Sequence, residues 1–235
     1  MTDRNHRQAP RAIIFDLDDT LTDRAASIAR LAGRFQERFG QRLATLAMDD
    51  LITAISTADG GGYRPRADMA KDLAATLTWT APVAPHDIVT FWLQEFPAAN
   101  VLRQGALSTI TALADAGIRL GIVSNGSTTA QSSKIALLGL QPWFQTIVIS
   151  EACGWRKPDP RIFAMALKAL ATEPCDTWFI GDHPANDIVG AAAAGLDAIW
   201  IGDPDSWPGN LVRPVRIIKE LPELLGLIPG IGLAI

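Results

Sequence analysis

The chain has 235 residues, with 48% apolar and 20% charged residues and a formal net charge of −4. That length builds a sizeable core, as one large domain or as a domain with an inserted lobe. The composition is that of an ordinary soluble globular protein. The acidic balance and the absence of a basic run disfavour a nucleic-acid or anionic-membrane surface.

Two cysteines, Cys153 and Cys175, are too few for a disulfide framework, which makes a reduced, cytoplasmic setting the expectation. The polar start MTDRNHRQAPRA does not read as a signal peptide. No stretch reaches the roughly 20 apolar residues that span a bilayer. The apolar end, LGLIPGIGLAI, is short and broken by Pro229 and glycines, so it is expected to pack on the body of the protein.

In chain order, Ala12 to Phe15 is an apolar run expected to form a fully buried strand, and it ends abruptly in Asp16, Asp18 and Asp19. From Ala25 the period becomes helical. Ile28, Leu31, Ala32, Phe35 and Phe39 share one face, and Gly40 ends the run. Further helices are expected over Leu43 to Ala58, over Arg66 to Thr78, and from Pro85 to a stop at Pro97. Residues 23–100 therefore read as an inserted helical lobe, and residues 1–22 and 101–235 as the core domain.

Alternation then returns. Helices are expected at Ala106 to Ala116, Thr128 to Leu138, Pro160 to Ala171, Ile188 to Ala194 and Glu220 to Leu225. Strands are expected at Arg119 to Val123, Thr146 to Ile149, Trp178 to Ile180, Ala198 to Ile201 and Val215 to Ile218. Strands and helices in this order imply right-handed βαβ units, hence an α/β fold with a doubly wound parallel sheet.

Four strand ends or the loops after them carry unusual polar residues: Asp16-Leu17-Asp18-Asp19-Thr20, Ser124-Asn125-Gly126, Arg156-Lys157-Pro158-Asp159, and Gly181-Asp182 with Asn186-Asp187. Each alone has a plain structural explanation as a helix cap or a turn. Their succession at strand ends does not, because parallel strands put all their C-termini on one edge, where ligands bind in such sheets. Asp16, Asp18, Asp182 and Asp187 then share one cleft, and like charges that close cannot all ionise without compensation. A hard divalent cation, best Mg²⁺, together with Lys157 supplies it, and that combination attracts a dianionic phosphate.

The segments IIFDLDDTL, VSNG, SEACGWRKPDPRIF and IGDHPANDIVGAAAAG resemble, in order, the four motifs of the haloacid dehalogenase-like hydrolases. The resemblance implies a Rossmann-like core with the first strand central, the second and third motif strands on one side and the fourth on the other. It implies Asp16 as nucleophile and Asp18 as general acid and base. Asp16, the Asp18 backbone carbonyl and Asp182 are the implied Mg²⁺ ligands, with Thr20 orienting the first loop. Ser124, Asn125 and Lys157 are implied to hold the phosphate, and Asp187 to support the metal's waters and Lys157.

An acid at position 18 favours a phosphate ester or anhydride over a carbon–halogen bond, since halide leaves unprotonated. The resemblance implies that the inserted lobe, residues 23–100, is a helical cap domain, and there Tyr63, Arg64 and Arg66 are the candidate readers of the leaving group. The expected function is Mg²⁺-dependent hydrolysis of a small phosphorylated metabolite, without nucleic-acid or membrane partners, by a monomer or homodimer. The rivals are a phosphomutase of the same scaffold and a non-catalytic phosphate-binding regulatory module.

Overall fold

The computed structural model describes residues 9–231. Residues 1–8, with His6, and the last four residues of the apolar end lie outside that range. The chain divides into two compact units, residues 1–22 with 102–235 and residues 23–101.

The first unit is built on a parallel sheet. Its strands are β1 (Ala12–Phe15), β4 (Arg119–Ser124), β5 (Thr146–Ile149), β6 (Thr177–Gly181), β7 (Asp197–Ile201) and β8 (Arg216–Ile218). Their order is β5-β4-β1-β6-β7-β8, so β1 is central, as the resemblance implied. Two short strands, β2 (Thr22–Asp23) and β3 (Val101–Leu102), form a separate two-stranded sheet where the chain leaves and re-enters this unit.

The period-two alternation of a strand decides which core each side chain joins. Ile13 and Phe15 enter one apolar cluster with Ile122, Ile180 and Ile199. Helix α5 (Ala106–Asp115) covers that face through Ile110 and Leu113, and α6 (Thr128–Leu137) through Ile135. Ala12 and Ile14 enter the opposite cluster with Val123, Phe179 and Ala198, under Ile162, Phe163 and Ala166 of α8 (Pro160–Leu170). With β1 buried on both faces, every residue of AIIF is fully buried.

The C-terminal stretch packs on the first of these clusters through Leu224 and Leu225 of α10 (Glu223–Gly226), then Ile228 and Ile231. The expected helix over Ile188 to Ala194 begins earlier and is wider at its start. A π-helical turn, Pro184–Val189, leads into α9 (Gly190–Ala193). A short helix α7 (Ser150–Cys153), not anticipated from the sequence, follows β5.

The second unit holds α1 (Arg24–Phe39), α2 (Met48–Asp59), α3 (Arg66–Thr76) and α4 (Pro85–Ala99) around their own apolar cluster. Asp23 caps α1 by accepting the Ala26 N–H at 2.8 Å. Two expectations are corrected here. Helix α2 starts at Met48 rather than near Leu43, because Leu43 makes a bridge to Trp79 instead. Helix α4 runs through Pro97, which falls in its last turn. There the Asn100 side chain donates to the Phe96 carbonyl at 2.6 Å and closes the helix end.

Among the described residues, no helix is long and apolar enough to cross a membrane. One close approach fixes a loop of the first unit. A Cβ on Gly190 would lie 2.9 Å from the Pro158 backbone and 3.1 Å from the Phe163 ring. Gly190→Ala is therefore expected to push the Lys157–Pro158 segment outward and to cost about 1–3 kcal/mol, the usual cost of overpacking, read as a lowered urea midpoint. An unchanged midpoint would mean that this contact relaxes freely.

Candidate active site

Asp16 follows the last residue of β1 and continues its ladder, donating its N–H to the Ile180 carbonyl at 2.8 Å. That bond places its side chain at the C-terminal edge of the sheet, in the fixed register of β1 against β6. Lys157 arrives from the loop after β5. Its ammonium forms a buried ion pair with Asp16 and a second with Asp187 Oδ1, the latter at 2.7 Å. The ring of Phe179 lies 5.5 Å below the ammonium.

The Lys157 backbone is itself gripped. Asn125, just past β4, accepts the Lys157 N–H on Oδ1 at 2.9 Å and donates Nδ2–H to the Lys157 carbonyl at 3.0 Å. Two neighbouring strand ends are thereby locked together at the lysine.

The fourth cluster is assembled by β6 and the π-helical turn. Asp187 Oδ2 accepts the His183 N–H at 2.9 Å, which bends the turn back over Gly181. A Cβ on Gly181 would meet the Asp187 side chain at 2.4 Å, so only glycine admits the carboxylate there. His183 caps the turn through Nδ1, which accepts the Asn186 N–H at 3.1 Å. Asp182 accepts the Thr20 hydroxyl at 3.2 Å, and its backbone carbonyl accepts the Trp200 indole N–H at 2.6 Å.

Asp16, Asp182 and Asp187 each present an oxygen within 4.8 Å of the others. Their electrostatics show how little positive charge they have. Burial pushes the Asp16 carboxyl up to about 7, with Asp187 and Asp18 adding repulsion and Lys157 pulling the other way. Burial likewise pushes Asp182 up to about 9, reinforced by Asp16, Asp187 and Asp19. Burial alone would pull the Lys157 ammonium down, but Asp16 and Asp187 outweigh it and hold the proton more tightly than usual. One buried ammonium does not neutralise three carboxylates. The donor set is all oxygen, which suits a hard divalent cation rather than a soft one.

The neighbouring Asp18 is held by α6. Its Oδ1 pairs with Lys134 Nζ at 2.5 Å and its Oδ2 accepts from Gln131 Nε2 at 2.7 Å. Gln131 Nε2 also donates to Ser124 Oγ at 2.6 Å. The Asp19 backbone, at φ 59°, sits in the left-handed region, and its carbonyl accepts from Arg103. Within the first unit, direct contacts join Asp16, Asn125, Lys157 and Asp187, a further bond joins Thr20 to Asp182, and Gln131 joins Asp18 to Ser124.

Tyr63, Arg64 and Arg66 belong to the second unit. Tyr63 is exposed. Arg64 pairs with Asp72 at 2.6 Å and donates to the Ala58 carbonyl at 3.0 Å. Arg66 donates at 2.7 Å to Asp59, a fully buried carboxylate that also takes two bonds from Arg24, each at 2.7 Å. The Arg24 and Arg66 guanidiniums lie 5.2 Å over Phe96 and 4.9 Å over Trp92. Burial pushes the Asp59 carboxyl up, but the two arginines outweigh it and hold it below the usual range.

Sequence reasoning did not reach Asp59, Gln131, Lys134 or the side chain of Asn125. A signal existed for two of them. Gln131, Lys134 and Ile135 fall at i, i+3 and i+4, a spacing that puts them on one helix face, yet two of the three are polar.

A family model described as haloacid dehalogenase-like hydrolase matches residues 10–195. A glyceraldehyde 3-phosphate phosphatase of Pyrococcus furiosus is 32% identical over 199 residues, covering 81% of this chain and 80% of that protein. A phosphoserine phosphatase of Thermus thermophilus is 36% identical over 106 residues, 43% of each chain. Among solved structures, the HAD-hydrolase YfnB of Bacillus subtilis, crystallised with magnesium, superposes with a TM-score of 0.77 at 25% identity, covering 94% of this chain and 100% of that one.

The raised carboxyls give a pH dependence of stability. Both titrate near 3.8 in the unfolded chain and higher when folded, so the folded state holds the extra protons in between. Their contribution is present in full below about pH 4 and is lost as pH rises through 7 and 9. In chelator, Asp182→Asn should therefore gain in Tm on the unaltered protein from pH 5 to pH 9. A constant or shrinking difference would contradict the assignment. Separately, Asp59→Ala should cost about 3–5 kcal/mol in urea denaturation, because it leaves two arginine charges facing each other in a buried site. A loss below about 1 kcal/mol would show that the cluster is solvated.

Proposed function

The chain belongs to the haloacid dehalogenase-like hydrolase family, and on that premise we propose that it hydrolyses monoesters of small phosphorylated metabolites through an aspartyl-phosphate on Asp16. The observation that carries this reading is the meeting of Asp16, Lys157, Asp182 and Asp187 at one sheet edge, with more carboxylate than Lys157 can balance.

Asp16 attacks phosphorus while the ester P–O bond breaks. Asp18 gives its proton to the departing alkoxide. Asp18 then takes a proton from water as that water attacks the aspartyl-phosphate, and inorganic phosphate leaves with Asp16 restored. Ser124 and the Asn125 N–H hold phosphate oxygens. Lys157 balances the charge of the phosphoryl group and the nucleophile together. Thr20 steadies the first loop through its bond to Asp182.

The all-oxygen donor set suits Mg²⁺, which Asp16, the Asp18 backbone carbonyl and Asp182 would hold, with Asp187 supporting its waters and Lys157. When bound, the ion supplies positive charge to the phosphoryl oxygens. That YfnB was crystallised with magnesium supports this choice. The second unit, residues 23–101, is the proposed selector of the leaving group. Tyr63 is its exposed candidate reader, while Arg64 and Arg66 hold ion pairs that a substrate would have to share.

Several groups must act together. The slowest phosphate monoesters call for about 28 kcal/mol of barrier lowering. A single oriented donor contributes only about 3–4 kcal/mol. A phosphatase is favoured over a phosphomutase by the named activities of the two relatives. The intact Asp16–Asp18 pair speaks against a binding module without turnover.

The test is phosphate release from p-nitrophenyl phosphate and from a panel of metabolite esters, with glyceraldehyde 3-phosphate included. Activity should require Mg²⁺, be lost in chelator, and fall by at least about 1,000-fold in Asp16→Asn. Full activity in Asp16→Asn would rule out the covalent route. Transfer of phosphate to a second sugar in place of release would favour the mutase.

A further inference from the structure

A second buried lysine stands beside this site without a part in the chemistry just described. Lys134 is 5% exposed and Gln131 2%, and both reach Asp18 from α6. A buried ammonium is costly unless paired, so its place beside Asp18 calls for a reason. We propose that Gln131 and Lys134 are positioning residues for Asp18, and that they fix the direction from which it exchanges its proton with the leaving group and with water. This rests on the reading of Asp18 as acid and base.

The geometry is specific. A carboxylate on a short side chain keeps two torsions, and one contact leaves rotation about the other. Here each oxygen has its own donor, Lys134 Nζ on Oδ1 and Gln131 Nε2 on Oδ2, so the carboxylate plane is set. The donors are three residues apart on one helix, which lets α6 present both to a single carboxylate. Gln131 ties in a third group. Its Nε2 also donates to Ser124 Oγ, so the hydroxyl at the end of β4 and the carboxylate of Asp18 are held by one amide nitrogen. Proton transfer in the transition state depends on such alignment, and an error of about 1 Å costs on the order of 100-fold.

The role can be separated from mere packing. A positioned acid matters for a poor leaving group and little for p-nitrophenolate, which departs without a proton. The full-length protein with Mg²⁺ is assayed as wild type, Lys134→Met, Lys134→Arg, Gln131→Met, Asp18→Asn and the Lys134→Met/Asp18→Asn double variant. The substrates are an alkyl phosphate and p-nitrophenyl phosphate, with rapid-quench measurement of the first turnover.

Lys134→Met should lower kcat on the alkyl ester by about 10- to 100-fold, with KM changed by less than about 3-fold. The p-nitrophenolate burst should keep its wild-type rate, and Lys134→Arg should recover most of the loss. In the Asp18→Asn background Lys134→Met should add less than about 2-fold. Gln131→Met, which leaves no buried charge unpaired, should show the same pattern more weakly and covers the case in which Lys134→Met does not fold.

An equal loss of the first-turnover rate on both esters, an undiminished loss in the Asp18→Asn background, or unaltered kcat in Lys134→Met and Gln131→Met would each overturn the proposal while leaving the phosphatase reading intact. A wild type inactive on every ester would remove both.

Discussion

The site depends on a buried imbalance of charge. Lys157 lies between Asp16 and Asp187 and is almost sealed from water. Drawing Lys157 away from these carboxyl groups would strand a buried charge, so the trio is locked in place. It is nevertheless incomplete, because Asp182 adds a carboxyl within reach of the same point. The folded protein meets that excess by holding protons on Asp16 and Asp182 well above the ordinary range. A site that holds protons for lack of positive charge is one that will exchange them for a cation. The same deficit makes it receptive to a phosphoryl group once that cation is present.

Topology makes such a concentration possible without a long-range search by flexible loops. With β1 central, Asp16 has β4 on one side and β6 on the other. Ser124 and Asn125, and Gly181 and Asp182, therefore arrive as immediate neighbours. Only Lys157 comes from farther out, after β5. That extra distance is bridged by Asn125, whose amide grips the Lys157 backbone on both sides. On the opposite flank, the absence of a side chain at Gly181 lets Asp187 fold over the end of β6 and reach the same ammonium. Preorganised charges of this kind need no rearrangement at the moment of reaction, which is where such electrostatics help most.

Much of this was legible in the sequence, and the reason is physical. Strands buried on both faces must be apolar throughout, so AIIF and its counterparts stand out, and charge at their ends has to serve something. What was not legible depends on choices between competing local and tertiary forces. Pro97 lies within α4 because it falls in a last turn closed by Asn100. The turn at Pro184–Val189 widens to a π-helix, with Asp187 bonded back to the His183 N–H. Side-chain partners were the least accessible. Arg66 reads as a solvated or substrate-facing charge until Asp59 is seen buried beneath it with Arg24. Gln131 and Lys134 read as an ordinary polar part of α6 until the helix is placed against Asp18.

The most direct measurement of the central claim is anomalous diffraction from crystals soaked in Mn²⁺ as a stand-in for Mg²⁺. The account predicts one strong peak within bonding distance of Asp16 and Asp182 carboxylate oxygens, with Lys157 still paired to Asp16 and Asp187. Crystals saturated with the ion that show no peak between Asp16 and Asp182, or show it bound elsewhere on the molecule, would contradict it.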